Sequence, residues 1–248
     1  MELKIDTTRA IEENATYYYD KSKKAKRKIE GLKKAIKVSE KKLKYIEEDE
    51  KKPVIKYKDP PELKWYMKYR WFISSDGFLC IGGRDATTNE VLMKKYTEKG
   101  DIVFHTEMSG SPFFLVKAEG KEIPEKTLNE TAIATASFSR AWKDGYASAE
   151  VYHVEPNQVK KEFGLPKGSF MIHGKRTNYN AVIKLYVTKD KNNYLQCTPI
   201  KGEFSLEQGG KKSDTAKIIQ KLLIDMYGIK YPLDDVIRLL PGDCSLSK

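Results

Sequence analysis

The stretch WFISSDGFLCIGGRD, residues 71–85, decides the fold class. Two apolar runs, Trp71–Ser74 and Phe78–Gly82, flank Ser75-Asp76-Gly77. A polar turn ending in Gly between apolar runs is a β-hairpin signal. Asp85 is a helix-capping residue type, so a helix is expected from there to about Tyr96. Downstream, Asp101–His105 (DIVFH) and Phe113–Lys117 (FFLVK) read as strands joined by a Gly110-Ser111-Pro112 corner. Pro124, suited to a first helical turn, opens an Ala-rich helix expected to reach about Trp142. Strand patterns come next at Tyr146–Val154, Ser169–His173, Ala181–Val187 and Tyr194–Pro199. Helices are expected over Ser213–Tyr227 and Pro232–Leu239, ending before Pro241-Gly242. Strands interrupted by irregularly spaced helices imply an α+β domain: one mixed sheet with helices packed on it.

Upstream the pattern changes. Ile11, Ala15, Tyr18, Ser22, Ala25, Ile29, Leu32, Ile36, Ser39, Leu43 and Ile46 alternate steps of four and three. This heptad seam predicts a coiled-coil helix about 53 Å long at 1.5 Å per residue, weakened only at Gly31. The seam is narrow and partly hydroxylic, so the helix needs a partner from this chain or another. Between Tyr17 and Lys44 twelve basic residues face three acids. A solvated coiled-coil face usually mixes signs to form i,i+4 pairs. The excess favours a phosphate-tracking surface, with Lys21, Lys24, Arg27, Lys28 and Lys34 as the contacts. Glu47–Pro61 reads as a charged, Pro-bearing linker and Glu62–Arg70 as a short helix. The division is then a basic helix at 1–50, linker and short helix at 51–70, and the α+β domain at 71–248.

The 248 residues carry 46 Lys+Arg against 35 Asp+Glu, a formal charge of +11, which favours polyanionic partners. Cys80, Cys197 and Cys244 are far apart and odd in number, which fits no disulfide framework or CxxC pair and suits a reducing, cytoplasmic setting. No apolar run is long enough for a membrane span and no leader pattern is visible, so no membrane partner is expected.

Three clusters carry candidate chemistry. Gly82-Gly83-Arg84-Asp85 reads either as a phosphate-holding helix start, reinforced by Arg84, or as a turn capped by Asp85. His105-Thr106-Glu107-Met108-Ser109-Gly110-Ser111-Pro112 is the densest polar cluster. It offers donors for phosphate or ribose, or acid–base groups, but lacks a GxSxG elbow. Lys160-Lys161 and Pro166–Arg176 interleave basic and aromatic residues around glycines, which suits looped RNA or a hairpin with solvated lysines. His105, His153 and His173 are widely spaced, so neither a metal site nor a cofactor is expected.

WFISSDGFLCIGGR with Asp85 and Asn89-Glu90, DIVFHTEMSGSP at 101–112, and Thr127-Leu128-Asn129-Glu130 together resemble the NFACT-R domain family. So do Asn157-Gln158-Val159-Lys160 and KGSFMIHGKR at 167–176, in matching order and spacing. Asn14-Ala15-Thr16-Tyr17-Tyr18-Tyr19 followed by Lys21, Lys23 and Lys24 is similar to the start of that family's coiled-coil region. The resemblance spans about residues 6–180 and is closest to archaeal or eukaryotic members. It implies an RNA-binding factor, with tRNA, large-subunit rRNA or both as partners. Full-length members act in ribosome-associated quality control, where they bind stalled large subunits, recruit charged tRNA and support untemplated tailing of the nascent chain. The implied RNA-binding residues are Arg84, Asp85, Asn89, His105, Ser109, Gly110, Ser111, Gln158, Lys160, Lys167, Lys175 and Arg176. The family's N-terminal domain and most of the returning coiled-coil helix have no counterpart here. The seam is therefore expected to pair with a second copy, giving a homodimer, or to pack on the chain's own body. Two other readings stand beside this one: a tRNA-modification enzyme subunit acting through His105 and Glu107, and a coiled-coil scaffold that binds no RNA.

Overall fold

A computed structural model describes residues 4–50 and 62–247, with side chains described for 4–43 and 62–247. The chain divides into two units, residues 1–56 and 57–248. In the first, helix α1 spans Ile11–Glu50, so Glu47–Glu50 are helical rather than linker. The rest of the expected linker, 51–61, lies outside the described residues. The helix start is clamped by Asn14. Its amide donates to the carbonyls of Asp6 (3.0 Å) and Ala10 (3.1 Å), and its Oδ1 accepts from the Asp6 amide at 3.0 Å. These bonds fold residues 6–10 over the first turn, so Asn14 is a structural residue of its motif. The seam residues Ile11, Ile29, Leu32, Ile36 and Leu43 are each more than half exposed, and the side chain of Ile46 lies outside the described residues.

In the second unit the expected helix at 62–70 is a single 3-10 turn, Trp65–Lys68, because Arg70 already opens a strand. Strands β1 (Arg70–Ile73) and β2 (Leu79–Gly82) form the expected hairpin, and helix α2 spans Ala86–Lys95. Strands β3 (Ile102–Thr106) and β4 (Phe114–Val116) follow, then helices α3 (Glu125–Ser137) and α4 (Arg140–Asp144). Strands β5 (Ser148–Val154), β6 (Val159–Lys160), β7 (Met171–Ile172), β8 (Thr177–Val182), β9 (Leu185–Lys189), β10 (Leu195–Thr198) and β11 (Phe204–Gln208) come next. Helices α5 (Lys212–Tyr227) and α6 (Leu233–Leu239) and strand β12 (Cys244–Leu246) complete the unit.

The α+β class and the long N-terminal helix are as the sequence suggests. The expected single mixed sheet is instead three antiparallel sheets, ordered β1-β2-β4-β3-β5-β8, β10-β9-β11-β12 and β6-β7. A parallel neighbour needs a long crossover, and most connections here are too short to supply one. Two boundaries also move. The helix expected from Pro124 to Trp142 breaks after Ser137, because the Ser139 hydroxyl caps α4 by accepting from the Ala141 amide at 3.1 Å. The run 181–187, expected as one strand, passes from the first sheet to the second. At the corner the Lys184 amide donates to Ser137 Oγ (3.0 Å), and Ile183 to the Ala147 carbonyl (2.8 Å).

The six-stranded sheet is buried on both faces, and alternation along each strand sorts its residues. Phe72, Cys80, Phe104, Phe114 and Val116 face one core with α3, α5, α6 and the second sheet. Trp71, Ile81, Val103, Leu115 and Tyr152 face a second core closed by Leu92 of α2. The register agrees: Trp71 opposes Ile81, which opposes Leu115, which opposes Val103. Helix α3 lies close to the sheet because its buried face is Thr127, Thr131, Thr135 and small alanines. Thr131 and Thr135 donate to the carbonyls four residues back at 2.8 and 2.7 Å, so their hydroxyls are buried satisfied.

Candidate nucleic-acid interface

A cleft of about 390 Å³ opens where β2 gives way to α2. One wall is the corner 109–113, another the segment 167–170, and Arg70, His105 and Phe138 also line it. Eight of the residues expected to bind RNA line this cleft: Arg84, Asp85, Asn89, His105, Ser109, Gly110, Ser111 and Lys167.

Their local roles differ. Asp85 is a helix cap: its Oδ1 accepts from the Thr88 amide at 2.8 Å, a bond that holds its carboxyl below the usual range. The helix start is thus occupied, and the capped turn is the observed arrangement. Arg84 spends its guanidinium on backbone carbonyls: Nε to Lys68 at 3.0 Å, Nη2 to Tyr69 at 2.8 Å and Nη1 to Arg238. Burial, with Arg238 nearby, lowers its pKa. Asn89 is buried and its Oδ1 accepts from the Phe113 amide at 3.2 Å, which ties the corner to α2. Gly83 lies directly against the Asn89 amide and has no room for a side chain.

His105 stacks on Phe113 with ring centres 4.2 Å apart, and Tyr152 Oη stands 3.5 Å from its Nδ1. Burial holds its pKa below the ordinary imidazole range, so the ring is neutral at pH 7. Glu107 is engaged by Arg176, whose guanidinium also lies 4.4 Å from the Tyr152 ring centre. Ser111 is buried, and Gly110 turns the corner with φ +85°.

Lys167 reaches the cleft because its segment is pinned to α2 by Glu90. Glu90 Oε2 accepts from the Gly168 amide at 2.7 Å and from Lys161 Nζ at 3.1 Å, while Lys94 pairs with Oε1 at 2.6 Å. Lys94, the Gly168 amide and Lys161 together pull the Glu90 pKa down to about 2. Lys161 also donates to the carbonyls of Pro166 (2.7 Å) and Ser169 (3.1 Å). Lys161 and Glu90 therefore shape the segment that presents Lys167, Ser169 and Phe170.

Four expected residues lie outside the cleft lining. Gln158 Nε2 donates to the carbonyls of His173 (2.7 Å) and Lys175 (2.9 Å), and its Oε1 accepts from the Glu155 amide at 2.9 Å. It ties the β6–β7 hairpin together. Lys160 and Lys175 are exposed on that hairpin, and Arg176 pairs with Glu107. On α1, Lys21, Lys24, Arg27, Lys28 and Lys34 are all exposed; at 100° per residue they occupy roughly 140° of the helix, an arc that adjoins the seam at Lys21 and Lys28. Cleft residues that lie in none of the candidate clusters include Arg70 and Phe138, whose guanidinium and ring are 4.2 Å apart. A lone basic residue directly before the strand WFI carries no signal that sets Arg70 apart. Among the described residues no group of His, Cys, Asp and Glu could hold a metal, and no helix is long and apolar enough to cross a membrane.

Residues 68–174 match the model of the NFACT protein RNA binding domain. The chain is 38% identical over 213 residues to the archaeal Rqc2 homolog aRqcH of Methanocaldococcus jannaschii, covering 78% of this chain and 31% of that protein. It is 36% identical over 173 residues to ribosome quality control complex subunit NEMF of Homo sapiens, covering 66% of this chain and 16% of that one. It thus spans less than a third of the length of these relatives. Among solved structures, the C-terminal part of the fibronectin/fibrinogen-binding protein from Streptococcus suis is similar at TM-score 0.43 and 19% identity, covering 73% of this chain and 78% of that one.

Proposed function

We propose, from the premise that this chain belongs to the NFACT family, that it is an RNA-binding factor of ribosome-associated quality control. Its ligand is tRNA, large-subunit rRNA or both, which gives it a cytoplasmic place of action. The observation that carries this reading is the convergence of residues from 84, 105–111 and 167 on one cleft. The cleft combines a lysine, hydroxyls, an amide, a neutral imidazole and the rings of Phe113, Phe138 and Phe170. Unstacked nucleotides in RNA loops and ends are held by such sets: rings for the bases, donors for phosphate and ribose. The basic face of α1 supplies sequence-independent phosphate contacts, and Lys160, Lys175 and Arg176 add a second basic surface on the β6–β7 hairpin and beside it. Arg84, Asp85, Asn89 and Gln158 act by positioning, since their polar groups are engaged within the fold.

Binding is preferred to catalysis at His105. Its ring is stacked on Phe113, and Glu107, the acid an acid–base pair would need, is engaged by Arg176. The exposed seam of α1 supports a second element of the proposal, a homodimer joined through that helix. The test is binding of purified tRNA and large ribosomal subunits across a salt series. Beside the wild type stand a variant with Lys24, Arg27 and Lys28 changed to Gln and a Lys167→Ala variant. The arm variant should lose affinity and salt slope, and Lys167→Ala should lose affinity. Absence of binding by the wild type at about 100 mM salt would defeat the RNA reading. RNA turnover abolished by His105→Ala with binding intact would favour the enzyme instead. A monomer mass that does not rise with concentration would remove the homodimer.

A further inference from the structure

Among the described residues, the guanidinium of Arg70 is the one buried side-chain polar group that the fold leaves with an unmet donor. No acceptor there meets its Nη1, which is out of reach of solvent. The group rests on the face of Phe138 at 4.2 Å. The charge that bears most on it is a second cation, Arg84. The acid lining the same cleft, Asp85, is spent on capping α2. Arg84 is spent on three carbonyls. A buried cation with an unmet donor and a like-charged neighbour is costly, and such groups are few in native proteins. The same side chain lines a cleft that also holds Lys167, the hydroxyls of Ser109 and Ser169, and aromatic walls.

We infer that Arg70 forms, with Lys167, an anion subsite on the inner wall of this cleft that takes the phosphate of a nucleotide whose base lies against the neighbouring rings. The inference rests on the RNA reading above and adds the group that the site is built to hold. A guanidinium pre-positioned against a ring loses little freedom when it forks onto phosphate oxygens. The ring walls favour a nucleotide over a bare carboxylate. Two sources share this chemistry: a free mononucleotide with a terminal dianion, and a monoanionic phosphodiester within a strand.

The test titrates the full chain with adenosine 5′-monophosphate, a short single-stranded oligoadenylate and inorganic phosphate. Wild type is compared with Arg70→Gln and Arg70→Lys. The expected result is at least tenfold weaker binding of the preferred nucleotide probe to Arg70→Gln, with partial recovery in Arg70→Lys. A preference for the oligonucleotide assigns the phosphodiester; a preference for the monophosphate assigns the free nucleotide. Tm without ligand should not fall in Arg70→Gln, because an uncompensated cation has been removed, and the ligand-induced rise in Tm should vanish. In the wild type the Arg70 guanidinium NMR resonances should shift on titration, a reading that does not depend on the variant folding. Equal affinities of wild type and Arg70→Gln, or unmoved guanidinium resonances at saturation, would overturn the subsite. No binding of either nucleotide at millimolar concentration, with salt-dependent tRNA binding intact, overturns the subsite and leaves the RNA reading standing. Loss of tRNA binding as well removes both.

Discussion

Replacing Gly168 by Ala should unlatch one wall of the cleft without unfolding the domain. Gly168 has φ +77°, and a Cβ there would sit 2.6 Å from both Cα and O of Ala86. Those are backbone atoms of the first turn of α2, held by the Asp85 cap, and they cannot swing aside as a side chain tip can. The left-handed conformation costs a side chain about 1–2 kcal/mol. Relieving the clash means separating the segment from α2 and breaking the Gly168 N–H bond to Glu90, a charge-assisted bond worth about 1.5–3 kcal/mol. The combined penalty, about 3–5 kcal/mol, acts on a surface segment that can open by itself, so local opening relieves it before global unfolding does. Opening removes Lys167 and Phe170 from the cleft. One base–aromatic stack is worth about 1–3 kcal/mol, so affinity for single-stranded RNA should fall roughly 10- to 100-fold. Fluorescence anisotropy with a labelled oligonucleotide reads the loss, and hydrogen exchange reads the freed Gly168 amide. If that amide stays as protected as in the wild type and affinity changes less than twofold, the docking of this segment on α2 does not shape the binding site.

Single removal of an arm charge, for example Lys24→Gln, should weaken tRNA binding mildly and lower the salt slope by about one; an unchanged slope in filter binding would take the helix out of the phosphate-tracking role. Glu90 titrates in the folded protein at about 2 against an ordinary 4.5, so the stability it confers is present above about pH 4.5 and is lost as pH falls from there towards 2. Thermal melts across that window should be flatter for Glu90→Gln than for wild type, and identical slopes would show that the contacts of Glu90 with Lys94, the Gly168 amide and Lys161 contribute nothing. Burial pushes the Cys80 thiol up to about 12, that of Cys244 to about 11 and that of Cys197 higher still. All three should resist a thiol reagent at pH 8 until denaturant is added, and prompt labelling of the native protein would contradict the packing.

The hairpin at 71–82 was legible because a polar turn separates two apolar runs and the Asp85 cap marks the start of α2 just beyond them. Residue types at a turn and a helix start carry their own geometry. The run 181–187 was not legible. It is strand-like throughout, and only the bonds of Lys184 to Ser137 and Ile183 to Ala147 reveal that the chain changes sheets there. The break between α3 and α4 was hidden for a similar reason. Ser139 sits in a helix-favouring stretch, and its hydroxyl serves the Ala141 amide only once Phe138 has turned in beside Phe114. Strands β6 and β12 are only two and three residues long, and pairing rather than composition makes them strands. Among site residues, the glycines, the cap and the 105–111 cluster were visible as motifs. Arg70 was not, because a lone arginine before a strand looks like any solvated basic residue until Phe138, nearly 70 positions away, closes over it.

The pair Asn89-Glu90 explains why motifs so far apart in the chain form one cleft. Consecutive helical side chains point about 100° apart, so two neighbours on α2 can each hold a different loop. Asn89 takes the Phe113 amide and fixes the corner that carries Ser109 and Ser111, while Glu90 takes the Gly168 amide and Lys161 and fixes the segment that carries Lys167. Gly83 leaves the space that the Asn89 amide fills. Two walls of the cleft are thus set by one turn of one helix, and the cap at Asp85 sets where that turn begins. Pattern alone gives positioning residues such as Asn89, Gln158 and Arg84 the same weight as Lys167 and His105. Hydrogen-bond accounting separates them: a side chain whose donors and acceptors are already met within the fold holds the site in shape, and one with unmet capacity at the cleft, as at Arg70, is where a ligand is received.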